Sequence, residues 1–214
     1  MRKLAIFDFD GTLFNSIDDV RICLNEALSR HGFPTLTHDE YVKRLGGNID
    51  EIVSLVLKDK NTPENIGLVR KTYEEIYESC DKENTLPFDN VGEVLVELQD
   101  RGIILTINSN RSTDSIMQFT DKYWENIDFA AVEGHNPDCP SKPSPCAVKK
   151  IGRKFNVSND EMIYIGDSST DIKTAENAGV DCLIVKWGYG FQEDYENDYP
   201  LQTIDDAFQI LKYF

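Results

Sequence analysis

Asp8 and Asp10 lie in the segment DFDGT, Ser109 follows ILTIN, Lys142 sits in SKPSP, and Asp167 and Asp171 belong to GDSSTD. Several carboxylates brought to one point repel each other unless a cation binds. An all-oxygen site with few protein ligands suits Mg²⁺, which keeps waters and takes phosphate as a ligand. Asp8, Asp167 and the backbone carbonyl of Asp10 could provide such a shell. Lys142 and the Ser109 hydroxyl would then supply positive charge and a hydrogen-bond donor to phosphate oxygens. Taken alone, two acids two residues apart are as readily a turn or a helix cap. The coincidence of four such segments is what points to chemistry.

For these groups to meet, each must stand at the carboxyl end of a strand in one parallel sheet. Short apolar runs fit that demand: residues 4–9, 103–107, 162–165 and 182–185, with a weaker one at 129–132. Helical patterns separate them. Residues 89–101 place Val91, Val94, Leu95 and Leu98 on one face, with Asp89 as the cap and Gly102 past the end; further helices are predicted over 143–155 and 170–178. This alternation predicts an α/β fold, a doubly wound parallel sheet covered on both faces. Residues 14–88 show no comparable strand. Ile17, Val20, Leu24, Ala27 and Leu28 form a helical stripe, and Thr62-Pro63 is an N-cap followed by proline at the first helical position. The prediction is a core of residues 1–13 and 89–214 carrying an inserted helical module, 14–88.

Composition narrows the partners. A formal charge of −16 over 214 residues repels nucleic acid, whose binding draws on clustered Lys and Arg. No apolar run approaches the ~20 residues that cross a bilayer, and no signal peptide is recognised, so the expectation is a cytoplasmic protein without a membrane partner. The sequence does not indicate an oligomeric state. Five scattered cysteines, Cys23, Cys80, Cys139, Cys146 and Cys182, lack Cys-x-x-Cys spacing and are expected to be reduced thiols rather than a zinc site or disulfide framework.

The four segments, in this order and at these intervals, resemble the motifs of the haloacid dehalogenase superfamily of phosphohydrolases. DFDGT corresponds to its first motif, Ser109 to the second, Lys142 to the third and GDSSTD to the fourth. The resemblance covers nearly the whole chain. The position of the helical insertion and the segment WGYG (187–190) are similar to the phosphoglycolate phosphatase-type branch. It implies a Mg²⁺-dependent phosphatase acting on a small phosphate monoester, such as 2-phosphoglycolate or a sugar phosphate, through an aspartyl phosphate on Asp8. Asp10 would give a proton to the leaving alcohol and later take one from water. Asp8, Asp10, Asp167 and Asp171 would hold the metal. Ser109, Asn110, Arg111 and Lys142 would contact phosphate or the catalytic loop, although Arg111 also reads as a solvated charge and Ser109 as a helix cap. The loop around Gly47 lies where relatives place a specificity loop, or is a plain inter-helix turn, and the inserted module would be a cap. A phosphomutase of the β-phosphoglucomutase type shares the nucleophile and metal site. From another class, a phospho-accepting or phosphate-binding regulatory protein is the further alternative; a receiver domain would need its paired acids and its acceptor in another order.

Overall fold

The computed structural model describes residues 1–43 and 48–214. They form two compact units, one of residues 1–14 and 87–214, the other of residues 15–86. The chain passes between the units in two short strands, β2 (Phe14–Asn15) and β3 (Leu86–Pro87).

The first unit is built on a six-stranded sheet in the order β5-β4-β1-β6-β7-β8, every neighbouring pair parallel. Its strands are β1 (Leu4–Phe7), β4 (Ile104–Asn108), β5 (Phe129–Glu133), β6 (Met162–Gly166), β7 (Asp181–Val185) and β8 (Leu201–Ile204). β1 is central and fully buried, which explains why LAIF is apolar at every position rather than alternating. Its side chains divide between the faces. Ala5 and Phe7 join Leu105, Ile107, Ile163 and Ile165 beneath α5 (Val91–Asp100) and α6 (Thr113–Tyr123). Leu4 and Ile6 join Met162, Tyr164 and Ile184 beneath α7 (Cys146–Phe155) and α8 (Ser169–Ala178).

Helix limits follow local chemistry. Ser112 accepts a hydrogen bond from the Ser115 N–H at the start of α6, and Gly179 closes α8 at φ 72°. The expected cap of α5, Asp89, gives way to Asn90, which holds that position at φ 63° without a side-chain cap bond. Asparagine tolerates that left-handed geometry better than most residues.

The second unit contains α1 (Ile17–Arg30), α2 (His38–Val42), α3 (Ile49–Leu57) and α4 (Pro63–Ser79). Cys23, Leu24, Ala27 and Leu28 of α1 are buried, as are Val69 and Tyr77 of α4. Thr62 caps α4 through the Asn65 N–H, with Pro63 at its first position. Buried Asp19 accepts hydrogen bonds from Asn84 (2.8 Å) and Thr85 (2.7 Å), satisfying both carboxylate oxygens. The Cys23 and Cys80 sulfurs lie 3.3 Å apart as thiols. No helix among the described residues is long and apolar enough to cross a membrane.

The expectation that all cysteines are reduced is corrected: Cys139 and Cys146 form a disulfide. Their spacing carries no motif, but the intervening turn brings the Cα atoms to 5.7 Å, within bonding range. The bond closes the loop that carries Lys142. Chain-entropy reasoning for so short a loop assigns it about 2.5 kcal/mol. Replacing both cysteines by serine should therefore lower the unfolding free energy by about 2 kcal/mol in urea titration against the oxidised parent. Identical midpoints for oxidised and reduced parent protein would refute that contribution.

Candidate active site

The central strands β4, β1 and β6 run in register, Phe7 standing opposite Ile107 on one side and Ile165 on the other. The residues just past their carboxyl ends therefore emerge side by side. Asp8 extends the ladder by one bond, its N–H donating to the Ile165 carbonyl at 2.8 Å. Asp167 follows β6, and Asp171 lies in the first turn of α8.

Asp8, Asp167 and Asp171 are buried, and one carboxylate oxygen from each lies within 4.8 Å of the others. Buried Lys142 enters between two of them. Its Nζ is 2.7 Å from Asp8 Oδ1 and 2.7 Å from Asp171 Oδ1. The contact with Asp171 is a hydrogen bond; that with Asp8 has ion-pair distance without hydrogen-bond alignment, leaving Asp8 Oδ1 with no aligned donor among the described residues. The second oxygen of Asp171 accepts the Ser168 hydroxyl at 2.9 Å and the N–H groups of Asp167 and Ser168, both at 3.2 Å. Asp171 is thus a fixed pillar for Lys142.

Three buried carboxylates share one ammonium, and their protonation reflects the shortage of positive charge. Burial, then the charge of Asp171, pushes Asp8 up to about 7, with Lys142 pulling the other way. Burial followed by Asp171 and Asp8 holds Asp167 well above the usual carboxylate range, against the Tyr189 N–H. Burial works against the Lys142 charge, but Asp171 and Asp8 outweigh it and raise its affinity for the proton. An electron-rich, all-oxygen cluster of this kind fits a hard divalent cation.

The Lys142 loop is held from several sides. Asn110 clamps the Lys142 backbone, accepting its N–H at 2.8 Å and donating to its carbonyl at 3.3 Å. The Lys142–Pro143 peptide is cis, and Asn177 donates to the Pro143 carbonyl at 2.9 Å. Beneath the lysine, the buried Tyr164 hydroxyl lies 3.2 Å from both the carbonyl and the side-chain oxygen of Asn108.

The remaining candidates fall in other places. Ser109 directly follows β4, buried, its hydroxyl accepting the Arg111 N–H at 3.2 Å. Asp10 stands apart from the three-carboxylate cluster, bound by Arg111 through Nη2–Oδ1 (2.6 Å) and Nε–Oδ2 (3.1 Å). The solvated-charge reading of Arg111 does not hold, because its side chain is covered and paired. Gly47 lies outside the described residues.

WGYG has a role in the site that the sequence reading did not assign. The Tyr189 N–H donates to Asp167 Oδ2 at 2.6 Å, and Trp187 Nε1 reaches the Thr12 carbonyl at 3.2 Å. A β-carbon on Gly188 or Gly190 would collide with Asp167, and one on Gly11 (φ 85°) would strike the same carboxylate. Two glycines within four residues, directly after a buried strand, were the available signal for such close approach.

Comparison with known proteins agrees with this architecture. A profile for haloacid dehalogenase-like hydrolases matches residues 5–185. The chain is 27% identical over 216 residues to a phosphoglycolate phosphatase of Vibrio cholerae serotype O1, covering 98% of this chain and 96% of that one. A Bacteroides fragilis protein provisionally named as a haloacid dehalogenase-like hydrolase superposes with a TM-score of 0.90 at 25% identity, covering 99% of this chain and 100% of its own. CbbY from Rhodobacter sphaeroides, solved with phosphate, has the same fold: TM-score 0.83, 20% identity, 99% of this chain and 96% of that one. With most of its length matched by that profile, the chain belongs to the haloacid dehalogenase-like hydrolase family.

Proposed function

We propose that this protein is a Mg²⁺-dependent phosphatase that hydrolyses a small phosphate monoester through an aspartyl phosphate on Asp8. The observation that carries this reading is the buried Asp8 carboxylate sharing Lys142 with Asp171, 2.7 Å on each side, beside Asp167. Asp8, Asp167 and the Asp10 carbonyl would hold the ion, which when bound supplies charge neutralisation for the phosphoryl oxygens. An Asp8 oxygen attacks phosphorus while the bond to the leaving oxygen breaks, and Asp10 gives its proton to that oxygen. Asp10 then takes a proton from water as the water oxygen bonds to phosphorus and the Asp8–phosphorus bond breaks. Lys142 offsets the charge on the transferring group, and Ser109 donates its hydroxyl to it. Asp171 keeps Lys142 in place.

The name of the relatives supports 2-phosphoglycolate as the substrate, with a sugar phosphate as the alternative, and we assign substrate selection to the helical unit, residues 15–86, as a cap. The test is phosphate release from p-nitrophenyl phosphate, 2-phosphoglycolate and hexose phosphates, with Mg²⁺ or EDTA, beside Asp8→Asn. Metal-dependent release lost in the variant is expected. Absence of release from every compound, with interconversion of sugar phosphates instead, would replace the phosphatase by a mutase.

A further inference from the structure

We propose that Arg111 is a positioning residue whose guanidinium fork aims the Asp10 carboxylate for proton transfer, and not a ligand of the substrate phosphate. The inference rests on the phosphatase reading.

The fork engages both Asp10 oxygens, fixing the plane of the carboxylate as a single hydrogen bond would not. The guanidinium is itself held. Its Cζ lies 5.2 Å from the Phe9 ring centroid and 5.8 Å from that of Phe119, both rings buried. Nη1 donates to the Ser115 hydroxyl in the first turn of α6 at 3.0 Å. The Arg111 main chain is also anchored, its carbonyl accepting the His135 N–H at 2.7 Å, and Gly134 alone fits against it because a β-carbon there would strike that carbonyl. Asp10 thus takes its orientation from β4, β5 and α6, not only from its own loop.

Exposure separates positioning from phosphate binding. The Arg111 side chain is 8% exposed and that of Asp10 is 32%. The carboxylate can meet a leaving group, whereas the guanidinium is enclosed behind it with Nε, Nη1 and Nη2 already engaged. A buried Arg in a fork geometry is also the case in which lysine is a poor substitute.

A proton donor matters in proportion to the need of the leaving group. The alkoxide of 2-phosphoglycolate must receive a proton as its bond to phosphorus breaks; p-nitrophenolate departs without one. Rapid-mixing measurements on the Mg²⁺-loaded protein should therefore compare the first turnover of both esters in the parent, Arg111→Gln and Arg111→Lys. For Arg111→Gln, first-turnover cleavage of 2-phosphoglycolate is expected to fall about 30- to 100-fold, with KM changed by less than about twofold. The burst of p-nitrophenol should stay within about threefold of the parent, followed by a slowed steady state, because aspartyl phosphate hydrolysis also needs Asp10. Arg111→Lys, which keeps the charge and loses the fork, should fall between the two.

Equal losses on both esters with a raised KM would overturn the inference and make Arg111 a phosphate ligand, while leaving the phosphatase standing. An inactive parent would overturn the phosphatase reading and the inference together. Should Arg111→Gln fail to fold, the same two-ester comparison on Arg111→Lys decides.

Discussion

Asp8→Asn is expected to lose turnover by on the order of 10⁴-fold or more while making the metal-free protein more stable above pH 7. The two effects share one cause. Burial and the neighbouring Asp171 charge raise Asp8 from an ordinary carboxylate value of 3.8 to about 7. A group that binds its proton more tightly in the folded state favours folding fully below its unfolded pKa, and that contribution is lost as pH rises through the folded value. For Asp8 the loss runs from about pH 4 to about pH 7. Asparagine has nearly the same shape and does not ionise, so the variant escapes this loss. In EDTA at pH 8 its melting temperature should exceed the parent's by about 3 °C or more, the shift produced by about 1 kcal/mol in a chain of this size. Calorimetry of both proteins at pH 5 and pH 8 checks the sign. A variant less stable than the parent at pH 8 in EDTA would show that the Lys142 pair outweighs the repulsion among the acids.

The second large effect concerns the metal. In the proposed function Mg²⁺ would bind the ionised carboxylates, so protons on Asp8 and Asp167 would compete with it, and binding that favours the folded state would raise the melting temperature by mass action. Burial and mutual repulsion raise both groups in the metal-free protein, Asp8 to about 7, so proton competition with the ion strengthens as pH falls. The gap between melting temperatures in saturating Mg²⁺ and in EDTA should be small at pH 5 and widen through pH 7 to pH 8. A ratio of [Mg²⁺] to Kd near 100 at pH 8 corresponds to about 2.7 kcal/mol, hence a gap of about 5–10 °C. A gap independent of pH would mean that the ion does not use these carboxylates.

The meeting of Asp8, Lys142, Asp167 and Asp171 was legible in the sequence because each follows or adjoins a locally recognisable element. An apolar run ending in a polar turn announces a strand end, and parallel sheets gather such ends. Features made by distant chain segments were not legible. The Arg111–Asp10 fork joins residues 101 positions apart, and neither carries a local sign of the other. Tyr189 meets Asp167 through a backbone N–H, which any residue possesses. The Cys139–Cys146 bond depends on how a proline-rich loop turns back on itself. β8 escaped notice for a different reason: at the sheet edge, Gln202 and Thr203 are exposed, so Leu201–Ile204 shows no apolar run.

The place of β1 in the sheet has a further consequence for assembly. Leu4 pairs with Ile104 on one side and Met162 on the other, so the central strand is separated from both neighbours by long stretches of chain. Closing such long loops comes before any reward from pairing, and this slows folding. Until β4 and β6 arrive, LAIF is an unpaired apolar segment of the kind that draws nascent chains into aggregates. During synthesis the helical unit, contiguous in sequence, can collapse while β1 still waits. The mutually repelling acids therefore come together only in the last stage of maturation, when the strands that bury them are already paired.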